Sequence, residues 1–116
     1  MSDNKQTAAA SYNCEAQQRG YSVLLALAGH EFDGVSLTEI AAALAQRSGK
    51  SPGSYKNNVF RDLHNLKSAG LAEQLPDSER WRLGPKMPQI AQAYTRNIAR
   101  ISSRFDELQQ RYSREP

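Results

Sequence analysis

Polar and basic side chains are concentrated in the segment that begins SYKNN, and their chemistry suits nucleic-acid recognition. Residues 46–72 contain five basic residues and one acidic residue, a net charge of +4 in a chain that carries +3 overall. Asparagine can pair with adenine, and arginine with guanine, through two hydrogen bonds, while a basic stripe attracts phosphate. The segment therefore predicts a helix that enters a groove of DNA.

The predicted helix has an apolar face at Val59, Leu63 and Leu66, and Ser54 is its predicted N-cap. The candidate DNA-binding residues are Lys50, Ser54, Tyr55, Lys56, Asn57, Asn58, Arg61, His64, Arg80 and Arg82. Several of these residues can also be explained without a role in DNA binding. The basic stripe could be a solvated helix face, the two asparagines could merely occupy a first turn, and the histidine could be an ordinary surface residue.

Two short strands are predicted after this helix, from Leu71 to Leu75 and from Trp81 to Leu83. The turn PDSER joins them into a hairpin, and apolar and polar residues alternate with the period of a strand. Arg80 and Arg82 could reach phosphate or the minor groove, although two acidic residues in the turn oppose that. Trp81 is expected to pack against the helices rather than on a base.

Two helices are predicted upstream. The first begins around Glu15, and its predicted inward stripe has helical spacing. The stripe consists of Tyr21, Leu24, Leu25 and Ala28, and Phe32 in the next turn is expected against the core. The second helix opens with a capping box, because Ser36 stands three residues before Glu39. Its predicted inward residues are Leu37, Ile40, Ala41 and Leu44.

A long helix is predicted after Pro88, and its apolar residues are spaced alternately four and three apart. These residues are Met87, Ala91, Tyr94, Ile98, Ile101, Phe105, Leu108 and Tyr112. Such a heptad seam is typical of a coiled coil. We expect Tyr94, Ile98, Ile101, Phe105, Leu108 and Tyr112 to form a homodimer contact, while the first turns could pack on their own domain. The flanking residues form no opposite-charge pairs that would set helix orientation.

The order of elements predicts a mainly α (α+β) protein: a winged helix-turn-helix with a two-stranded wing and a long C-terminal dimerisation helix. Residues 1–13 are expected to be a disordered tail, residues 14–86 the DNA-binding domain, and residues 87–116 a coiled-coil-like helix. In a helix-turn-helix the second helix lies in the major groove.

Several stretches resemble the DNA-binding domain of IclR-type transcriptional regulators. RWRLGPKMPQIAQAY is similar to the end of the wing and the following linker helix, VFRDLHNLKSAGL to the recognition helix and its exit, and VSLTEIAAAL to the second helix. The resemblance covers residues 19–94. It implies DNA contact by Lys56, Asn57, Asn58 and Arg61, and it places residues 81–86 in the returning strand of the wing.

The chain departs from that family in two respects. The loop before the recognition helix is longer, and only a helix stands where the effector-sensing domain would begin. Binding of a small-molecule effector and formation of a tetramer are therefore not expected. The size suggests a small bacterial or phage-type regulator.

Other chemistries find little support. One cysteine, Cys14, and two distant histidines provide no internal disulfide and no spacing typical of a metal site. Lys50 lies in a sequence that ends like a phosphate-binding loop but lacks its earlier glycine. We predict no enzyme activity, cofactor or metal. No apolar run is long enough for a membrane span, and the start does not resemble a signal peptide, so a cytoplasmic location is expected.

The sequence thus predicts a sequence-specific DNA-binding transcriptional regulator. It would act as a homodimer on an inverted-repeat site, with the recognition helix in the major groove and the wing on the backbone. Two alternatives remain open. One is sequence-independent binding by an architectural or phage accessory protein, and the other is a winged helix that docks proteins.

Overall fold

The computed structural model describes residues 12–114, and this part of the chain is mainly helical with one small antiparallel sheet. The mainly α (α+β) class is therefore confirmed. The elements are α1 (Glu15–Ala26), α2 (Leu37–Ser48), a short 3-10 helix (Pro52–Ser54), α3 (Lys56–Ser68), β1 (Ala72–Gln74), β2 (Trp81–Leu83) and α4 (Lys86–Ser113). Residues 1–11 of the predicted tail lie outside the described residues.

The described chain divides into two compact units, residues 12–84 and residues 85–114. The first unit contains the core, and the second contains α4. The sequence placed this boundary after residue 86, two residues later.

The first helix begins at Glu15 as expected, but its predicted inward face was wrong at Tyr21, Leu25 and Ala28, which are exposed, and right only at Leu24, which packs partly against the core. Val23 and Leu27 are completely buried, whereas Tyr21 and Leu25 are 54% and 69% exposed. Both pairs have the spacing i, i+4, so periodicity alone could not distinguish them. Packing against α2 and α3 selects the pair at 23 and 27. Phe32 is 93% exposed, so its predicted packing on the core was also wrong.

The second helix follows its prediction closely. The Ser36 hydroxyl accepts a hydrogen bond from the Glu39 backbone N–H at 3.1 Å, which satisfies one donor that the helix start leaves free. The Glu39 carboxylate does not complete a capping box but lies 3.4 Å from the guanidinium of Arg80. Ile40, Ala41 and Leu44 are buried as predicted, and Leu37 packs partly against the core.

The third helix begins at Lys56 with Tyr55 at the N-cap position, one residue later than predicted. Ser54 instead belongs to the 3-10 helix, where its hydroxyl donates to the Ser51 carbonyl at 2.7 Å. The predicted inward face is confirmed, because Val59 and Leu63 are fully buried and Leu66 packs against the core.

The hairpin pairs Ala72 with Leu83, Glu73 with Arg82, and Gln74 with Trp81. Ala72 shares a face of the sheet with its partner Leu83, and Trp81, two residues before Leu83, lies on that face too. Both Ala72 and Trp81 are buried in the core. The expected packing of Trp81 is confirmed. The first strand is shorter than predicted, and its inward residue is Ala72. Val35 extends the sheet, since its backbone exchanges two hydrogen bonds of 2.8 Å with Trp81.

Gly84 closes the hairpin where two backbone segments approach closely. Its N–H donates to the Leu71 carbonyl at 2.9 Å. A Cβ added at Gly84 would lie 2.4 Å from the carbonyl oxygen of Gly70 and 2.9 Å from the nitrogen of Ala72. Only glycine fits at this point without a shift of the backbone.

We therefore predict that Gly84→Ala lowers the free energy of unfolding by about 1–3 kcal/mol, the usual cost of overpacking. Gly20→Ala is the matched control, because nothing lies within 4 Å of a Cβ at Gly20, which is inside a helix. Urea unfolding monitored by tryptophan fluorescence measures both variants. Equal stability of the Gly84→Ala variant and the wild type would contradict the observed approach.

Candidate nucleic-acid interface

The outer face of α3 is a line of polar side chains directly opposite the buried ones. At 100° per residue, Asn57 and Arg61 lie within about 20° of the direction opposite Val59. Both side chains are exposed, and among the described residues no protein group forms a hydrogen bond with either of them. The amide and the guanidinium are therefore available to a ligand in front of the helix.

The two flanks of α3 have different surroundings. Asn58 is half-buried on the flank nearer α1. On the other flank the His64 ring lies 4.5 Å from Phe60 and meets Trp81 edge-on at 5.2 Å, measured between ring centroids. His64 thus joins α3 to the hairpin through aromatic contacts. It stands beside the outer line rather than at its front.

The connection between α2 and α3 fixes the start of the outer face. The Tyr55 hydroxyl donates to the hydroxyl of Ser48 at 2.8 Å, which fastens the end of α2 to the beginning of α3. The Lys50 ammonium lies 6.0 Å from the centre of the Tyr55 ring, at the limit of a cation–π contact. Lys50 and Lys56 are exposed beside this N-terminus. Ser54 and Tyr55 therefore act mainly in shaping the turn.

The hairpin arginines are bound within the protein. Arg80 donates to the carbonyl oxygens of Asp33 at 2.9 Å and Gly34 at 3.0 Å. Arg82 donates to the Glu73 carboxylate at 2.8 Å and lies near the Glu31 carbonyl at 3.4 Å. The sequence suggested that these two arginines reach DNA. In the structure their guanidinium groups instead hold the loop between α1 and α2 against the hairpin.

Exposed charges of opposite sign are grouped on different elements of the first unit. The loop before α2, the first turn of α2 and the hairpin turn carry five exposed acidic side chains: Glu31, Asp33, Glu39, Asp77 and Glu79. The end of α2, the connection after it and the first half of α3 carry four exposed basic side chains: Arg47, Lys50, Lys56 and Arg61. A polyanion is therefore attracted to the N-terminal half of α3 and repelled by the hairpin turn.

An ion pair that sequence reasoning missed holds α1 against α3. Arg19 donates two hydrogen bonds to the Asp62 carboxylate, at 2.6 and 3.0 Å. These hydrogen bonds raise the pKa of the Arg19 guanidinium, so it remains charged. The available signal was Asp62 itself, which is the one acidic residue among five basic ones in segment 46–72.

A comparison with protein-family models gives no match for this chain, and a search of curated proteins finds no similar sequence. The geometry of the site therefore has to support the functional argument. Within residues 12–114, no group of three or more histidine, cysteine, aspartate or glutamate side chains is placed to hold a metal ion. Likewise, none of the helices in this part of the chain has the length and apolarity to cross a membrane.

The second unit presents an apolar stripe along α4. The helix has 28 residues, which makes it about 42 Å long. Its predicted seam residues are Tyr94, Ile98, Ile101, Phe105, Leu108 and Tyr112, and each is between 48% and 80% exposed. A single copy of the chain therefore leaves a row of large apolar side chains in water, which is characteristic of an interaction surface.

Proposed function

We propose that this protein is a sequence-specific DNA-binding transcriptional regulator that acts as a homodimer. The observation that carries the proposal is the outer face of α3. Asn57 and Arg61 are exposed, lie opposite the buried face, and belong to the most basic segment of the chain. Both side-chain types can read base edges in the major groove through paired hydrogen bonds.

The architecture supports a winged helix-turn-helix similar to that of IclR-type regulators. Helices α2 and α3 are joined by segment 49–55, which contains the 3-10 helix, and the hairpin follows α3 directly. Val35 adds an isolated antiparallel bridge to the hairpin through Trp81. In this arrangement α3 enters the major groove, and Lys50 and Lys56 contact phosphate near its N-terminus, where the helix dipole also favours an anion.

The hairpin takes a smaller part in this proposal than the sequence suggested. Arg80 and Arg82 are bound to acceptors within the protein, and the turn between the strands exposes Asp77 and Glu79. A wing that touches the DNA backbone would do so through backbone N–H groups or through Ser78. Discrimination between sequences then depends on α3.

Dimerisation through α4 accounts for the exposed seam. In a two-stranded coiled coil the residues at the first and fourth heptad positions are buried between the helices. Burial of a large apolar side chain contributes roughly 1.5–3 kcal/mol. Two copies related by a two-fold axis would match an inverted repeat whose half-sites lie about one helical turn apart.

Selection of bound duplexes from a random library tests the proposal. We expect an enriched inverted repeat with the wild-type protein. Arg61→Ala should lower discrimination at one base pair of each half-site by about 1–3 kcal/mol while affecting random DNA little. Lys67→Ala, a charge change near the other end of the same helix, is the matched control.

Three outcomes would contradict this function or restrict it. Equal loss of affinity on all sequences would make Arg61 a phosphate contact. Tight binding without any enriched sequence would favour an architectural DNA-binding protein. Absence of DNA binding at low salt, together with capture of a protein partner, would favour a protein-docking module.

A further inference from the structure

Arginines form a second stripe on α4, which runs from the side opposite the apolar seam at Arg96 to the flank of the seam at Arg104. Arg96, Arg100 and Arg104 follow one another at four-residue intervals, and all three are exposed. At 100° per residue the stripe, defined by these three residues, is centred about 125° from the seam. A partner that covers the seam therefore leaves most of the stripe accessible.

The stripe has an electrostatic cost, and only one carboxylate on the helix stands near enough to offset part of it. Like charges four residues apart destabilise a helix by a few tenths of a kcal/mol per pair. No carboxylate stands three or four positions from Arg96 or Arg100 in the sequence, and only Glu107 stands so near Arg104. The ion pairs between described residues involve Arg19, Arg80 and Arg82, all in the first unit. The arrangement suits an external anion.

We infer that the arginine stripe of α4 is a second contact surface for the phosphate backbone of double-stranded DNA. This inference rests on the proposed function and adds a contact outside α3. Successive arginines of the stripe are about 6 Å apart along the helix axis. Phosphates of one DNA strand recur every 3.4 Å along the duplex axis, so the stripe spans about four of them.

The side-chain chemistry favours phosphate strongly. The basic residues between 87 and 114 are all arginine, with no lysine. A planar guanidinium donates two parallel hydrogen bonds to a phosphate, whereas an ammonium acts as a point charge. The contact is made with the backbone, so it increases affinity without selecting a sequence.

DNA fits the helix better than an anionic lipid surface does. The seam of α4 repeats every 3.5 residues and is narrow, as in a coiled coil, whereas a helix lying in a membrane interface presents a wider apolar face. The same chain carries a second basic surface in segment 46–72.

The test compares the wild type with Arg96→Gln/Arg100→Gln/Arg104→Gln on duplexes with and without the selected site. Each phosphate contact adds about 0.9 to the slope of log affinity against log salt. Between 50 and 200 mM salt, the wild type should lose about 40-fold more affinity than the variant, for three contacts. The reduction should be the same on both duplexes.

The matched control is Arg96→Lys/Arg100→Lys/Arg104→Lys, which keeps the charge and should keep the steep salt dependence. An unchanged slope in the glutamine variant overturns the inference but leaves the proposed function standing if the selected site is still preferred. Equal loss in both variants also overturns it, because the cause would be damage to the helix. Absence of DNA binding by the wild type overturns the proposed function and the inference together.

Binding to phosphatidylcholine vesicles that contain phosphatidylserine tests whether the stripe contacts lipid headgroups instead of DNA. The expected result is weak vesicle binding that does not depend on the stripe. Vesicle binding that the glutamine variant loses, with an unchanged salt slope on DNA, would assign the stripe to a lipid surface and overturn the inference.

Discussion

Replacement of Ile101 by aspartate is expected to convert the protein from a dimer to a monomer. Ile101 lies in the middle of the α4 seam and is 55% exposed in a single copy. In a dimer the substitution would remove two buried side chains and place two carboxylates close together in an apolar contact. Sedimentation equilibrium at micromolar concentrations measures the change.

The same variant should lose DNA affinity selectively. Linking two binding units raises overall affinity by about 10²–10⁴ over a single unit. We expect Ile101→Asp to bind the inverted repeat about 100-fold more weakly and to bind a single half-site unchanged. The half-site result is expected because residues 12–84 contain their own core.

Ser103→Asp is the matched control for this prediction. It adds the same charge two residues further along, on the side of α4 opposite the seam. It should remain a dimer, and because residue 103 stands beside Arg100 and Arg104 of the arginine stripe, the readout for this control is the oligomeric state. A wild-type protein that is monomeric at tens of micromolar, or an Ile101→Asp protein that stays dimeric, would exclude the seam as the dimer contact.

The arginines of the first unit differ in whether their guanidinium groups are hydrogen-bonded within the protein. Arg61 projects from α3 without an acceptor among the described residues, whereas Arg80 and Arg82 are bound to carbonyl and carboxylate oxygens. The proposed base recognition therefore rests on α3. The hairpin serves mainly to cover the core with Trp81 and to hold the loop before α2.

Local signals in the sequence predicted α2 and α3 well. The cap at Ser36 and the spacing of Val59 and Leu63 are each decided within a few residues. Their physical causes are a hydrogen bond to a helix start and a helical period. The sequence contains both without reference to distant parts of the chain.

Features that depend on distant residues could not be predicted in this way. The inward face of α1 is decided by α2 and α3, because Tyr21 and Leu25 have the same spacing as the buried Val23 and Leu27. The role of Arg80 in the hairpin is decided by acceptors more than 40 residues earlier in the chain. The sequence around a charged residue does not show whether the fold places such an acceptor beside it.

The ion pair between Arg19 and Asp62 yields the largest predicted effect on stability. The Asp62 side chain is only 8% exposed, so removal of Arg19 leaves a nearly buried carboxylate without a positively charged partner. We expect Arg19→Met to lower the free energy of unfolding by about 3 kcal/mol, at the lower end for a broken buried pair. Urea unfolding with linear extrapolation measures it.

A double-mutant cycle separates the pair from the packing around it. Asp62→Leu should cost less than Arg19→Met, because the Arg19 side chain is 23% exposed and its guanidinium can reach water. The double variant Arg19→Met/Asp62→Leu should recover most of the lost stability, since a buried pair replaced by apolar residues is often neutral.

Arg82→Met at the more exposed pair with Glu73 is the control, and it should cost less than about 1 kcal/mol. Additive costs for Arg19→Met and Asp62→Leu would show that the two groups do not stabilise each other. Recovery in the double variant would mean that the cost of Arg19→Met comes mainly from the unpaired Asp62 carboxylate, and that the ion pair itself adds little net stability to the contact between α1 and α3.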